Sequence, residues 1–438
     1  MFEVAHGGAG VIPANSAAHP PGPRLNLFAL YLATLVMRSA AFAGVAVMQH
    51  VLYPDPRDAF WKGLLFTVFP LAEVLTVGYY GARCDRIGRK RTLVFAHAIT
   101  AAAVFLFIPA IGFGTPGPLA PYLVAGMFVL FGMGAAAKVS STLTMVNDLS
   151  GRTNRAQRMA LFDIVTFAGF AGGFGAGFFA LVVWGVAPTA ILAVGGVGVL
   201  ASVGIVLVVV RETPFTPEPE RSTWDLLRSV IRDPAIVRLL PVYIPVLALY
   251  GYAISFAEQL FIGRGGPPVG SDPEILIAAS LGGPLILAMI AASRMSDRAR
   301  LRKPFMAVGL LCFGGLAILL SLAERSTGGI DVPQLASRWP LIVFLSAGAG
   351  AFPPAALAYL GDIAHRDVSG TTFGVYSVVF GSGLIVGPIL GGTLTVVLGA
   401  AAFLVIAVSL IGISAGGLLL LKEPDLHPRA SLLGREAG

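Results

Sequence analysis

Charge is scarce in this chain. Only 12% of its 438 residues are Asp, Glu, Lys or Arg, whereas soluble proteins carry about 25%. Hydrophobic residues make up 56% and the mean hydropathy is +0.82, which excludes a soluble globular protein and a disordered chain. Cysteine is nearly absent: Cys84 and Cys312 lie in opposite halves and suggest neither a disulfide framework nor a metal cluster. The composition indicates a polytopic membrane protein.

Long apolar runs dominate the sequence. They lack the alternating apolar–polar pattern of barrel strands, and a helix of about 20 residues crosses the hydrocarbon with its backbone satisfied internally. The predicted spans are 25–53, 59–82, 92–112, 119–147, 159–183, 188–210, 236–262, 273–293, 304–323, 339–361, 372–397 and 399–421. We therefore predict an all-α integral membrane fold with twelve transmembrane helices.

One long polar stretch separates the sixth span from the seventh. It predicts two pseudo-symmetric six-helix domains joined by a linker. The predicted parts are a flexible cytoplasmic tail (1–24), an N-terminal domain (25–210), a cytoplasmic linker (211–235), a C-terminal domain (236–421) and a second cytoplasmic tail (422–438).

Lysine and arginine are distributed unevenly between the two sides of the predicted bundle. The loops and tails on one side hold 23 of them and the opposite loops hold 5. Because loops rich in lysine and arginine stay on the cytoplasmic side, both termini are expected in the cytoplasm. The expected location of the protein is the plasma membrane of a bacterial or archaeal cell. The net charge of +7 would then face anionic lipid headgroups, and no nucleic-acid partner is expected.

The two halves of the chain resemble each other at a nearly constant offset. A shift of 212 places Asp85-Arg86 on Asp297-Arg298, and both pairs stand where an apolar helix meets a basic loop. A shift of 214 places Asp148, Gly169, Gly173 and Gly177 on Asp362, Gly383, Gly387 and Gly391. Because transporters are often built from repeats, a duplicated six-helix unit is predicted.

The loop after the second span reads GARCDRIGRK, residues 81–90. It resembles the loop 2–3 signature of the major facilitator superfamily, G-x-x-x-D-R-x-G-R-[RK]. The matching residues are Gly81, Asp85, Arg86, Gly88, Arg89 and Lys90. The second copy keeps Asp297 and Arg298 but has Ser293 and Arg300 in place of the two glycines. The resemblance implies transport of a small molecule by alternating access.

The resemblance also implies that this loop is a conformational latch. Asp85 would meet the positive N-terminal end of predicted helix 11, near residues 371–373, when the domains close on the cytoplasmic side. In the alternative interpretation, the loop is only a positive-inside anchor. That alternative accounts for the arginines but not for the ordered glycines and aspartate.

Predicted helix 11 contains a glycine-proline pattern. Its residues are Gly374, Gly383, Gly387, Pro388, Gly391 and Gly392. The pattern resembles that of drug:proton antiporters, where it belongs to helix 5, whereas helix 5 here has Phe174 in the proline's place. Close helix crossing and a proline bend are enough to explain the pattern, so it does not indicate the direction of transport. Helix 4 departs from that branch, because Phe128 replaces the arginine linked with its proton coupling.

Ionisable residues within spans are functional candidates, because they are expensive in lipid. The candidates for substrate binding or proton coupling are Arg38, Glu73, Lys138, Asp163, Glu258, Tyr250 and Tyr359. In the superfamily helices 1, 4, 7 and 10 line the cavity, which implies that Arg38, Lys138 and Glu258 meet the substrate. The alternatives are an Arg38–Glu73 ion pair, a Lys138 that reaches the membrane surface, and an interfacial Glu258.

These features predict a secondary active transporter with no enzymatic activity, cofactor or metal. We expect proton-coupled export of amphipathic or drug-like compounds. The alternative is proton-coupled transport of organic anions by means of Arg38 and Lys138; a membrane enzyme or a non-transporting receptor is a further alternative. The expected partners are a small-molecule substrate, protons and the lipid bilayer, and the expected state is a monomer.

Overall fold

The structure is a computed structural model. It describes residues 23–52, 59–112, 120–149, 155–182, 184–213, 228, 232, 234–256, 272–323, 331–363, 369–398 and 401–423. Glu258, nearly all of both predicted tails and most of the predicted linker lie outside the described residues. The side chains of Asp85 and of residues 371–376 are outside the described part as well.

The described residues of the first half form six long helices. They are α1 (Pro23–Leu52), α2 (Ala59–Ile87), α3 (Arg89–Gly112), α4 (Ala120–Asp148), α5 (Arg155–Val182) and α6 (Pro188–Val208). The second half follows with α7 (Pro234–Ser255), α8 (Asp272–Ala299), α9 (Lys303–Leu322), α10a (Trp339–Ala349), α10b (Phe352–Ile363), α11 (Ser369–Leu398) and α12 (Ala402–Leu420).

The helices have the length and composition of membrane spans. Eleven described spans, with α10a and α10b counted as one, are apolar and long enough to cross a bilayer. The remaining long helix, α8, has 28 residues, which also suffices, and a short helix at Val332–Ala336 precedes α10a. The prediction of an all-helical membrane fold is confirmed.

The predicted tenth span is broken between Ala349 and Phe352. Pro353 and Pro354 stand in the first turn of α10b and have no amide hydrogen with which to continue the hydrogen bonds of α10a. Lys62 is one of the five basic residues counted above on the less basic side of the bundle, yet it lies in α2 with its side chain 1% exposed.

Rows of glycine bring pairs of helices together within each half. Side chains added at Gly169, Gly173 and Gly177 of α5 would overlap α1. Side chains added at Gly383, Gly387 and Gly391 of α11 would overlap α7 in the same way. The two rows are related by the offset of 214, so the repeat found in the sequence corresponds to a repeated helix contact.

The two halves meet along α2 and α11. Gly63 of α2 lies against the backbone of Pro388 and Gly392, and Thr67 Oγ1 is 3.5 Å from the Ile385 carbonyl oxygen. We call the end of the bundle where α2 meets α3 and α8 meets α9 the basic end. The Gly63 contact lies at the opposite end.

Candidate substrate cavity

A small cavity of about 40 Å³ lies between the two halves. Helices α1, α2 and α5 form one side of it, and α7 and α11 form the other. The lining residues are Arg38, Phe42, Phe69, Thr166, Phe167, Phe170, Leu247, Tyr250, Phe380 and Leu384. Sites for small molecules have mainly apolar walls with a few polar groups, as this cavity has, and volumes of about 300–1,000 Å³, which it would reach only when the halves separate further. The cavity is therefore a candidate substrate site.

Aromatic rings from both halves meet at this cavity. The Phe167 ring of α5 lies 6.1 Å from the Tyr250 ring of α7 and 6.3 Å from the Phe380 ring of α11. On the α1 side, the Phe42 and Phe170 rings contact edge to face with centroids 4.3 Å apart. These rings offer flat apolar surfaces to a bound molecule.

Arg38 is the charged side chain among the lining residues. It is 7% exposed, and its guanidinium carbon lies 5.8 Å from the centroid of the Phe42 ring. Gly169 of α5 packs directly on it: a Cβ at Gly169 would lie 2.8 Å from Arg38 Cβ. The glycine row of α5 thus holds α1, the helix that carries Arg38, in its place in the cavity wall.

Arg38 also belongs to a group of charged residues whose other members, Glu73, Lys138 and Asp163, are not among the described residues of the lining. Lys138 is 0% exposed, and Nζ lies 4.7 Å from the centroid of the Phe162 ring. It interacts electrostatically with Arg38, Glu73 and Asp163. Lys138 Nζ and Glu73 Oε2 have no hydrogen-bond partner among the described residues. We call these four residues the charged cluster.

The position of Lys138 bears on two expectations. Its complete burial is incompatible with a side chain that reaches the membrane surface. It is also not among the described residues that line the cavity, although we expected it there. Arg38 is the member of the charged cluster that lines the cavity, whereas Lys138 lies against the ring of Phe162.

His97 was not identified from the sequence. It lies in α3 with 0% exposure, and Nδ1 is 2.6 Å from Ser202 Oγ of α6. Lys138 acts on it electrostatically. Sequence signals could have found it, because a histidine in the middle of an apolar span is as unusual as a lysine.

The predicted tyrosine candidates separate in the structure. Tyr250 lines the cavity. Tyr359 lies near the basic end, 4% exposed, and its hydroxyl donates to the Lys422 carbonyl oxygen at 2.8 Å. Tyr359 is therefore held by a backbone contact and is absent from the described lining.

At the basic end, the last residues of the signature loop take part in an ion network. Arg89 pairs with Asp148 at the end of α4 and donates to Thr213 Oγ1 at 3.0 Å. The Glu212 carboxylate accepts from the backbone amides of Arg89 at 2.8 Å and Lys90 at 3.1 Å. It therefore caps the start of α3, where the helix dipole favours an anion.

The second half repeats this network. Arg302 donates to Asp362 at 2.9 Å and to Asp297 at 2.7 Å, and Glu423 accepts from the amides of Arg302 and Lys303. Burial lowers the pKa of Arg302, but the hydrogen bonds to Asp362 and Asp297 outweigh it and leave the pKa raised. An extended repeat alignment would have found this residue, because Arg89 and Arg302 are 213 positions apart.

The signature glycines have different roles in the structure. Gly88 adopts a φ of 102°, and Arg300, its counterpart at an offset of 212, adopts a φ of 53°. Both loops require the left-handed region, which glycine enters without strain. A Cβ at Gly81 would meet no described atom within 4 Å, so the described residues show no close helix contact at this glycine.

A bundle of apolar helices with an aromatic cavity between its halves defines a polytopic membrane transporter. The sequence profile of the Major Facilitator Superfamily matches residues 27–322 and 269–436. The chain belongs to this family and is a secondary transporter.

Solved structures with this fold include the crystal structure of the human organic anion transporter MFSD10 (TETRAN). It is 17% identical with a TM-score of 0.68, over 92% of this chain and 100% of that one. A mutant of the nucleoside transporter NupG is 14% identical with a TM-score of 0.63, over 91% of this chain and 99% of that one. A search of curated proteins finds no match. At such identities the likeness shows the fold alone.

Proposed function

We propose that this transporter carries small organic anions with a flat apolar part. The observation that carries the proposal is Arg38, the charged group in the cavity lining. A guanidinium presents paired donors that match a carboxylate, and low local dielectric strengthens the contact. The rings of Phe42, Phe167 and Tyr250 would hold the apolar part.

The similar structure of an organic anion transporter agrees with this substrate class, but the proposal rests on the cavity. The second candidate is export of amphipathic drug-like compounds. The predominance of rings over polar groups in the lining favours it. The two candidates differ in the charge of the substrate, and Arg38 would repel a cation.

Binding to the purified protein in lipid nanodiscs separates the candidates. The probes are 1-naphthoate, its uncharged amide and the cation tetraphenylphosphonium. We expect the naphthoate to bind and Arg38→Gln to weaken it about 10- to 100-fold, because a hydrogen bond to a charged group contributes roughly 1.5–3 kcal/mol. Arg38→Lys should retain part of the affinity.

The chain offers a matched control for this experiment. Arg83 also lies over a phenylalanine, 5.5 Å from the Phe95 ring centroid, but it is near the basic end of α2. Arg83→Gln removes the same charge and should leave naphthoate affinity unchanged. Tight cation binding that improves in Arg38→Gln would instead support drug export.

We also propose that residues 25–210 and 236–421 move as two units, with both termini in the cytoplasm and the basic end facing it. The glycine contacts within each half support two rigid units. The uneven distribution of lysine and arginine supports the orientation. Asp85 remains a candidate latch between the units. Protease protection of N- and C-terminal tags in sealed vesicles tests the orientation.

A further inference from the structure

His97 and Lys138 are buried polar groups that the cavity does not use. Helix α3 contributes His97 and α4 contributes Lys138, and both side chains are 0% exposed. His97 Nε2 and Lys138 Nζ have no hydrogen-bond partner among the described residues. Buried groups of this kind are nearly always satisfied by protein or water, so each of the two needs a side chain or a buried water as its partner.

The hydrogen bonds of Ser202 assign the tautomer of His97. The Ser202 hydroxyl donates to the Val199 carbonyl oxygen at 2.6 Å, which uses its one hydrogen. Ser202 Oγ must then accept from His97 Nδ1 in their 2.6 Å contact. In the neutral ring, Nε2 is left as a hydrogen-bond acceptor. Lys138 has three donor hydrogens and acts on this ring, so the two groups are chemically complementary.

The charges around Lys138 sum to zero when all four members of the charged cluster are ionised. Arg38 and Lys138 contribute two positive charges, and Glu73 and Asp163 contribute two negative ones. A monoanion at Arg38 would leave an excess negative charge inside the membrane, which is strongly unfavourable. One proton bound in the cluster restores the balance.

Among the described residues, the ionisable groups around this position can be named, and they include Tyr243 of α7, which faces Asp163. Those facing Glu73 are Arg38 of α1 and Lys138 of α4. Lys138 additionally faces Asp163 of α5 and His97 of α3. Helix α6 contains no ionisable residue, and the described α11 residues that pack on α2 here, such as Val378, carry none.

We propose that His97 is a positioning residue that holds the Lys138 ammonium when Glu73 carries a proton. While Glu73 is ionised, Lys138 pairs with it; once Glu73 is protonated, Lys138 donates to His97 Nε2, directly or through one buried water. The proton comes from bulk water, forms one O–H bond on Glu73 and returns to water on release. This step rests on the proposed function, because a bound anion favours the protonated state of Glu73.

The first test needs no substrate. Protein labelled with ¹⁵N-histidine is studied by solid-state NMR in lipid bilayers, and the His97 signals are assigned by their loss in His97→Asn. Glu73→Gln imitates the protonated carboxyl. We expect it to move the Nε2 resonance towards that of a hydrogen-bond acceptor, and we expect Lys138→Met in the same background to abolish the change. An Nε2 resonance that does not respond to Glu73→Gln overturns the proposal.

The second test compares two uncharged replacements of His97 in proteoliposomes. His97→Gln places its amide oxygen near the position of Nε2, whereas His97→Asn places polar atoms only near Nδ1. We expect His97→Gln to retain most of the 1-naphthoate accumulation driven by a pH gradient. In His97→Asn we expect this accumulation to fall at least tenfold, while naphthoate exchange without a gradient continues.

The outcomes separate the possible roles of His97. Equal accumulation in both variants and wild type, or equal loss in both, contradicts positioning through Nε2; equal loss would indicate titration of the ring itself or a structural role. If the wild type fails to bind naphthoate, the proposed substrate class fails, and the NMR experiment still decides the inference.

Discussion

The contact between α2 and α11 gives the sharpest prediction about conformational change. Gly63 of α2 is packed on α11 at the end opposite the basic end. A Cβ at this position would overlap the Pro388 carbonyl oxygen and lie 3.0 Å from Pro388 C and 3.3 Å from Gly392 Cα. These are backbone atoms that cannot turn aside. Gly63→Ala should therefore disfavour the state in which the two halves touch there.

The magnitude follows from overpacking, which destabilises by about 1–3 kcal/mol. Gly63 and its contacts lie in different halves, so this strain is relieved when the halves separate at that end. A change of 1.4 kcal/mol is a tenfold change in an equilibrium, and the population open at that end should rise about tenfold or more.

Distances between spin labels measure this population. Trp184 and Trp339 are 72% and 46% exposed and follow α5 and begin α10a, so labels at Trp184→Cys and Trp339→Cys report on the end in question. The labels are placed in a background without Cys84 and Cys312. We expect Gly63→Ala to shift the distance distribution towards longer values.

Gly173 provides the matched control. A Cβ there would overlap Ser39 backbone atoms of α1, but α1 and α5 belong to the same half. Gly173→Ala should lower thermal stability and leave the distance distribution unchanged. A well-folded Gly63→Ala variant with wild-type distances would refute the assignment of this contact to a closed state.

Three further predictions concern the basic end. Arg300→Gly should stabilise the protein by about 0.5–1 kcal/mol by relieving a left-handed residue, while Gly88→Ala should destabilise it, as thermal unfolding would show. Glu212→Gln should lower stability by about 1 kcal/mol through weaker capping of α3, and Glu423→Gln should do the same for α9; an effect in neither would contradict the caps. Asp85→Asn should favour the state open at the basic end and slow transport, because a charge–dipole contact contributes about 0.3–2 kcal/mol; unchanged label distances at the basic end would reduce that loop to a topology anchor.

The sequence alone determined the fold class. Each span is encoded by its own run of apolar residues, and lipid permits only helices there, so no knowledge of tertiary contacts was needed. The glycine rows around Gly173 and Gly387 could also be predicted from the sequence, because a spacing of four residues places side chains on one face of a helix. The half-chain offset then related the two rows.

The tertiary structure decided which groups meet. Whether Lys138 faces the cavity, the lipid or a neighbouring helix depends on helix rotation and on the ring of Phe162, and neither is encoded within α4. The contact of His97 with Ser202 joins residues 105 positions apart, and the Arg302 network depends on Glu423, 121 positions away. Side chains buried in lipid must find polar partners, but the sequence does not say which helix provides them.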